Sequence, residues 1–243
     1  MCAAPVAPPD LQLLILTFIM IGFPAAVITV ILVLTGAARR RLIRTWRKLA
    51  ERTGLEVRVP WGRLPLNRHK TPRLEGNYRG RTAGVEMQWS RDRRKPAQDA
   101  GEGKLLLHHA LSFRRRDLWL RVRVGVDLPA GGWAFLCDQR YFNDLHFTAR
   151  KHAAGRWCGR DLFPNGEIAL RTDRPRDLAR ALASEELRRQ VAAILDPRHH
   201  ALMHLAAGQL CWHSGETHCG LDRLLVVLET LCDLAEKLED PPR

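Results

Sequence analysis

One uncharged run, Leu11 to Leu34, constrains this chain more than any other feature. It contains Gly22 and Pro24 but no Asp, Glu, Lys or Arg. Coiled as a helix at about 1.5 Å per residue it reaches roughly 36 Å, enough to cross a hydrocarbon core of about 30 Å with some tilt. Three readings compete. A cleaved signal peptide would use the small residues Gly36 and Ala38, but the run is too long for a signal core and Met1–Asp10 lacks a basic start. A buried helix of that length would show a polar face. A transmembrane helix meets neither objection and is the expectation. Pro24 removes a backbone donor in mid-run, which predicts a kink near Met20–Pro24.

Charge gives the orientation. The chain carries 39 basic and 26 acidic side chains, a net +13, and only Asp10 is charged before Arg39. From Arg39 to Asp99 there are 18 basic and 6 acidic residues, and from Ala100 onward 21 and 19, so the excess lies just after the run. Arg39, Arg40, Arg41, Arg44, Arg47 and Lys48 follow it directly, and none of their kind precedes it. Positive flanks stay on the cytoplasmic side. The expectation is a single-pass protein of a cell inner membrane or plasma membrane, with its C-terminal domain cytoplasmic. The same six side chains are the candidate contacts for anionic lipid headgroups, worth about 1 kcal/mol per basic residue near the surface. Cys2, Cys137, Cys158, Cys211, Cys219 and Cys232 show no framework spacing and in a reducing compartment stay free thiols.

Beyond the run, Leu42, Ile43, Trp46, Leu49 and Ala50 keep a helical period that Gly54 ends. Leu55–Val59, Leu74–Tyr78 and Thr82–Trp89 alternate as strands, the last two turning at Arg79-Gly80. Pro60–Pro72 and Ser90–Gly103 read as basic or polar loops. Lys104–Phe113 and Leu118–Val126 read as a strand pair, joined by Arg114–Asp117, with Leu120, Val122 and Val124 on one face and Trp119, Arg121 and Arg123 on the other. Pro129–Gly132 breaks the pattern. Leu145–Ala149 and Ile168–Thr172 then read as strands, and Pro175–Ala183 and Glu185–Leu195 as helices, with Ser184 as a cap. Ala201–Leu205 and Gln209–His213 read as a hairpin turning at Ala207-Gly208, and Leu221–Leu238 as an amphipathic helix. The predicted class is α+β: an N-terminal transmembrane helix, then a mainly antiparallel sheet packed with C-terminal helices. Its segments are an extracytoplasmic 1–10, a span over 11–35, a basic juxtamembrane helix over 36–54, a strand-rich 55–128 and a strand-plus-helix 129–243.

The stretches Trp46-Arg47-Lys48-Leu49-Ala50-Glu51-Arg52-Thr53-Gly54-Leu55, Leu74 to Arg81, Phe142-Asn143-Asp144-Leu145-His146-Phe147 and Ala179 to Leu195 resemble a family of uncharacterised bacterial single-span membrane proteins with a cytoplasmic α+β domain. The resemblance covers most of the chain after the span and implies no activity. Relatives often carry Asp where this chain has Asn143.

Motifs for chemistry are few. Cys211, His213, His218 and Cys219 supply two thiols and two imidazoles, the donor set of a tetrahedral zinc site, and a strand would put Cys211 and His213 on one face. The spacing matches no standard finger, and adjacent His218 and Cys219 strain joint ligation, so no metal and no cofactor is expected. His108-His109 and the histidines at 199, 200 and 204 read as loop or strand-surface residues. Gly131-Gly132 lacks the further glycines and the Lys of a phosphate loop. Basic residues interleaved with Trp61, Tyr78, Trp89 and Trp119 could contact nucleic acid, but no module signature is present and lipid is the nearer acidic partner. The expected role is binding or scaffolding at the membrane by a protein that is not an enzyme, its protein partner unspecified. The alternative is a membrane-tethered enzyme, metal-assisted, around Cys211–Cys219.

Overall fold

The computed structural model describes residues 18–59, 72–89, 118–128, 132–139, 156–157, 162–163, 168–216 and 219–239. The chain divides into two units, Met1–Arg44 with Trp61–Lys70, and Thr45–Pro60 with Thr71–Arg243.

The described part of the first unit is helical. A π turn over Phe18–Gly22 leads into helix α1, Phe23–Thr53. The kink expected near Met20–Pro24 takes the form of this wider turn, one way for a helix to accommodate the N–H that Pro24 lacks. Phe18, Met20, Ile21, Phe23, Val27, Ile28, Val30, Val33 and Leu34 all stand exposed. Among the described residues no helix is long and apolar enough to cross a membrane. The expected span starts at Leu11, outside the described residues, and its described part from Phe18 to Leu34 would rise only about 25 Å.

The second unit is built on one antiparallel sheet. Its strands are β1 (Glu56–Arg58), β2 (Arg73–Tyr78), β3 (Arg81–Trp89), β4 (Leu118–Gly125), β5 (Ala134–Asp138), β6 (Arg156–Trp157), β7 (Ile168–Thr172), β8 (Leu202–Ala206) and β9 (Gln209–Ser214). Their order is β1-β2-β3-β4-β9-β8-β5-β7-β6. Among the described residues the C-terminal half adds three α-helices, α2 (Pro175–Ala181), α3 (Glu185–Ile194) and α4 (Leu221–Glu239). The α+β class with an antiparallel sheet and C-terminal helices is therefore present.

Local chemistry sets the boundaries. Gly54 sits at φ +73 and its N–H returns to the Ala50 carbonyl at 2.8 Å, which closes α1. Tyr78 pairs Arg81 and Ala206 pairs Gln209, so both hairpins turn on two residues, and both turn residues of each have positive φ, as the twist of paired strands favours. The Ser184 side chain accepts the Leu187 N–H and caps α3.

One expectation needs correction. Leu118–Gly125 does not pair with Lys104–Phe113, which lies outside the described residues. Its two edges are taken by β3 and β9, with Val122 opposite both Val85 and Trp212. Strand β5 did not show as a strand in the sequence pattern, because all five of its residues are buried and no alternation marks it. The segment Leu145–Ala149 lies outside the described residues. The sheet runs without a break through the segments expected at 55–128 and 129–243, joined where β4 meets β9.

One face of the sheet carries Leu74, Val85, Leu120, Val122, Val124, Leu210, Trp212, Met203, Leu136 and Leu170, all buried. Helix α4 covers β4 and β9 there, and α2 and α3 pack on α4. The Trp212 indole donates to the Ile194 carbonyl of α3 at 2.8 Å, so the largest core side chain on β9 has its polar atom satisfied. Trp46 and Leu49 of α1 are fully buried in this unit. The hairpin of β2 and β3 is tied to α4 by ion pairs of Arg79 with Asp233 at 2.5 Å and of Arg81 with Glu239.

Candidate functional site

The second face of the sheet holds the candidate residues. Directly paired residues share a face, and two rows cross the sheet in register. The first runs Glu75, Gly84, Arg123, Cys211, His204, Phe135, Arg171. The second runs Glu86, Arg121, His213, Leu202, Cys137. On β2 to β4 these rows are partly open and charged: Glu75 meets Arg123 at 2.9 Å, Arg58 at 3.4 Å and Arg73 at 3.5 Å, and Glu86 meets Arg121 at 3.3 Å. From β9 to β7 the same face is buried, with Cys211, His204, His213, Phe135 and Cys137 all inaccessible or nearly so.

Arg121 joins the two halves. Its Nη1 donates to Glu86, and its Nη2 donates to Gln209 Oε1 at 3.4 Å and to Cys211 Sγ at 3.1 Å. The His204 and His213 rings stack with centroids 5.0 Å apart. Burial lowers the His204 pKa to about 3, and the Arg121 charge adds to the shift. Burial likewise pushes His213 well below its ordinary value, with His204 and Arg121 contributing. Both imidazoles are therefore neutral at neutral pH. Burial raises the Cys211 thiol although Arg121 beside it pulls the other way, so Cys211 is no thiolate nucleophile.

Three of the four residues of the metal alternative are described. Cys211 and His213 share a face, as their spacing predicts, and both are fully buried. Cys219 is buried just before α4, its thiol pushed up to about 12 by desolvation. His218 lies outside the described residues. Among the described residues no group of three His, Cys, Asp or Glu is placed to hold a metal ion. Sequence reasoning left His204 on a strand surface, whereas the β8–β9 register carries it into the buried patch beside His213. Arg121 was visible on the right face by alternation, but not its contact with Cys211, which depends on β4 pairing with β9.

A cavity of about 340 Å³ opens on the same sheet face over Gly125, walled by Thr82, Glu75, Arg123 and Gln209. A Cβ at 125 would land on Thr82 Oγ1, so any residue larger than glycine there forces the Thr82 side chain aside. Of the aromatic residues proposed to stack on bases, Trp119 is fully buried and Tyr78 half-buried, while Trp61 lies outside the described residues. The candidate lipid contacts lie along α1: Arg39 is half-buried, and Arg40, Arg41, Arg44, Arg47 and Lys48 are exposed.

No family model and no curated protein matches the chain. Among solved structures it is similar to the crystal structure of the mycobacterial trehalose monomycolate transport factor A, TtfA, with a TM-score of 0.48 and 10% identity over 84% of this chain and 97% of that one.

Proposed function

We propose that this chain is a membrane-anchored binding or scaffolding protein whose folded α+β unit works at the cytoplasmic face of an inner or plasma membrane. One observation carries the reading: the described apolar side chains from Phe18 to Leu34 are exposed rather than packed against protein, and exposed arginines follow them on the same helix. A soluble protein rarely presents so many contiguous apolar side chains to water. Lipid is the solvent that suits them, and anionic headgroups suit Arg40, Arg41, Arg44, Arg47 and Lys48. The further uncharged residues Leu11 to Thr17 give the segment the length to span. An enzyme centred on Cys211–Cys219 has less support, because Cys211 and His213 are fully buried and, among the described residues, no three His, Cys, Asp or Glu are placed to hold a metal ion.

Membrane extraction of the full chain with a reporter after Arg243 tests this. The protein should resist alkaline carbonate, dissolve in detergent, and hold its reporter in the cytoplasm. Release by carbonate removes the anchor, and export of the reporter reverses the orientation.

A further inference from the structure

Five buried nitrogens without a hydrogen-bond partner fall in one patch of the second sheet face: Trp119 Nε1, Arg121 Nε, His204 Nδ1, and both ring nitrogens of His213. Native interiors leave few such groups unpaired, and each one calls for a water, an ion or a ligand. Register makes the patch contiguous. Arg121 is directly opposite His213, Cys211 is opposite His204, and Trp119 precedes Arg121 by one step on the same face. The cavity over Gly125 lies one step further along, since Arg123 and Gln209 in its wall follow Arg121 and precede Cys211 with the same parity. Gln209 is itself hydrogen-bonded to Arg121.

The donor set selects the ligand class. Indole and guanidinium N–H groups only donate, and a neutral imidazole adds one donor each. The Arg121 charge acts on both imidazoles and would repel a metal cation placed between them. An anion has the opposite fate. We infer that this patch binds a small oxyanion, a sulfate-, phosphate- or carboxylate-bearing group, which enters past Arg123 and Gln209 and is held by Arg121 and the His204–His213 pair. The other charged or titratable groups of this face include Glu86, Arg73, Cys211, Cys137, Arg171 and Glu75, and the Glu75 carboxylate in the cavity wall is already paired with Arg123 at 2.9 Å. The bound negative charge favours the imidazolium, so binding takes up a proton. The site is independent of the membrane anchor.

The test uses the full chain in nanodiscs of zwitterionic lipid, titrated with sulfate, which keeps its charge from pH 8 to pH 6. Calorimetry in two buffers of different ionisation enthalpy counts protons, and ring ¹⁵N signals report the histidines. Saturable binding of one sulfate is expected, with uptake of about one proton and an affinity rising up to tenfold per pH unit lowered. Arg123→Gln, at the half-exposed mouth, should weaken it severalfold, and replacing both His204 and His213 by Gln should abolish the proton uptake. If sulfate is inert but nanodiscs containing phosphatidic acid shift the same ring signals, the oxyanion is a lipid headgroup and the site stands. Silence of the ring signals to both probes, binding without proton uptake, or binding untouched by Arg123→Gln overturns the inference.

Discussion

His204 and His213 are single residues with consequences for the whole fold. In the folded chain His204 protonates only near pH 3, against an ordinary value of 6.5, and His213 is shifted the same way. Above pH 6.5 both states of the chain hold these rings neutral, and the fold keeps its full stability. As pH falls from 6.5 toward 3 the unfolded chain takes up protons that the folded one refuses, so stability is lost, by at most about 1.4 kcal/mol per pH unit for each ring. The urea midpoint should therefore drop between pH 6.5 and 4, and His204→Gln should flatten the drop. An unchanged slope in that variant contradicts the assignment. Gly125 makes a second prediction. Gly125→Ala should cost about 1–3 kcal/mol by forcing Thr82 aside, and Thr82→Ala in the same chain should restore most of it, read as a double-mutant cycle of chemical denaturation.

At the scale of elements, helix α1 changes its exposed chemistry along its length. Its first part exposes Phe23, Val27, Ile28 and Val30, its middle exposes arginines, and its end buries Trp46 and Leu49. This was legible in sequence because each zone has its own residue chemistry. Gly54, the Arg79-Gly80 and Ala207-Gly208 turns and the Ser184 cap were legible for the same reason, since each is a local backbone or hydrogen-bond requirement. Strand β5 was not, because a strand covered on both faces loses its period. Ser184→Ala should lower stability by about 1 kcal/mol, measured by urea unfolding. Replacing Arg40, Arg41, Arg44 and Arg47 together by Gln should send a measurable fraction of a C-terminal reporter across the membrane. Wholly cytoplasmic reporter in that variant contradicts the role of these side chains in orientation.

For the molecule as a whole, the candidate site depended on which strands meet, and that is not a local property. The alternation of Leu118–Val126 placed Arg121 on a polar face, but nothing near it in sequence says that Cys211 and His213 lie alongside. Sequential strands pair often, which favoured Lys104–Phe113 as the neighbour. The observed order instead seats β9 against β4, and this has a consequence in time. During synthesis β1 to β4 emerge first, and the open edge of β4, with Leu120, Val122 and Val124 on one side, waits for everything from Val126 to Gly208 to be made. At about 5–20 residues per second that wait is roughly 4 to 17 s. An unpaired apolar edge is a template for foreign strands over that interval. A nascent chain stalled before Gln209 should therefore be held by chaperones or recovered in aggregates, whereas one released after Glu239 should not.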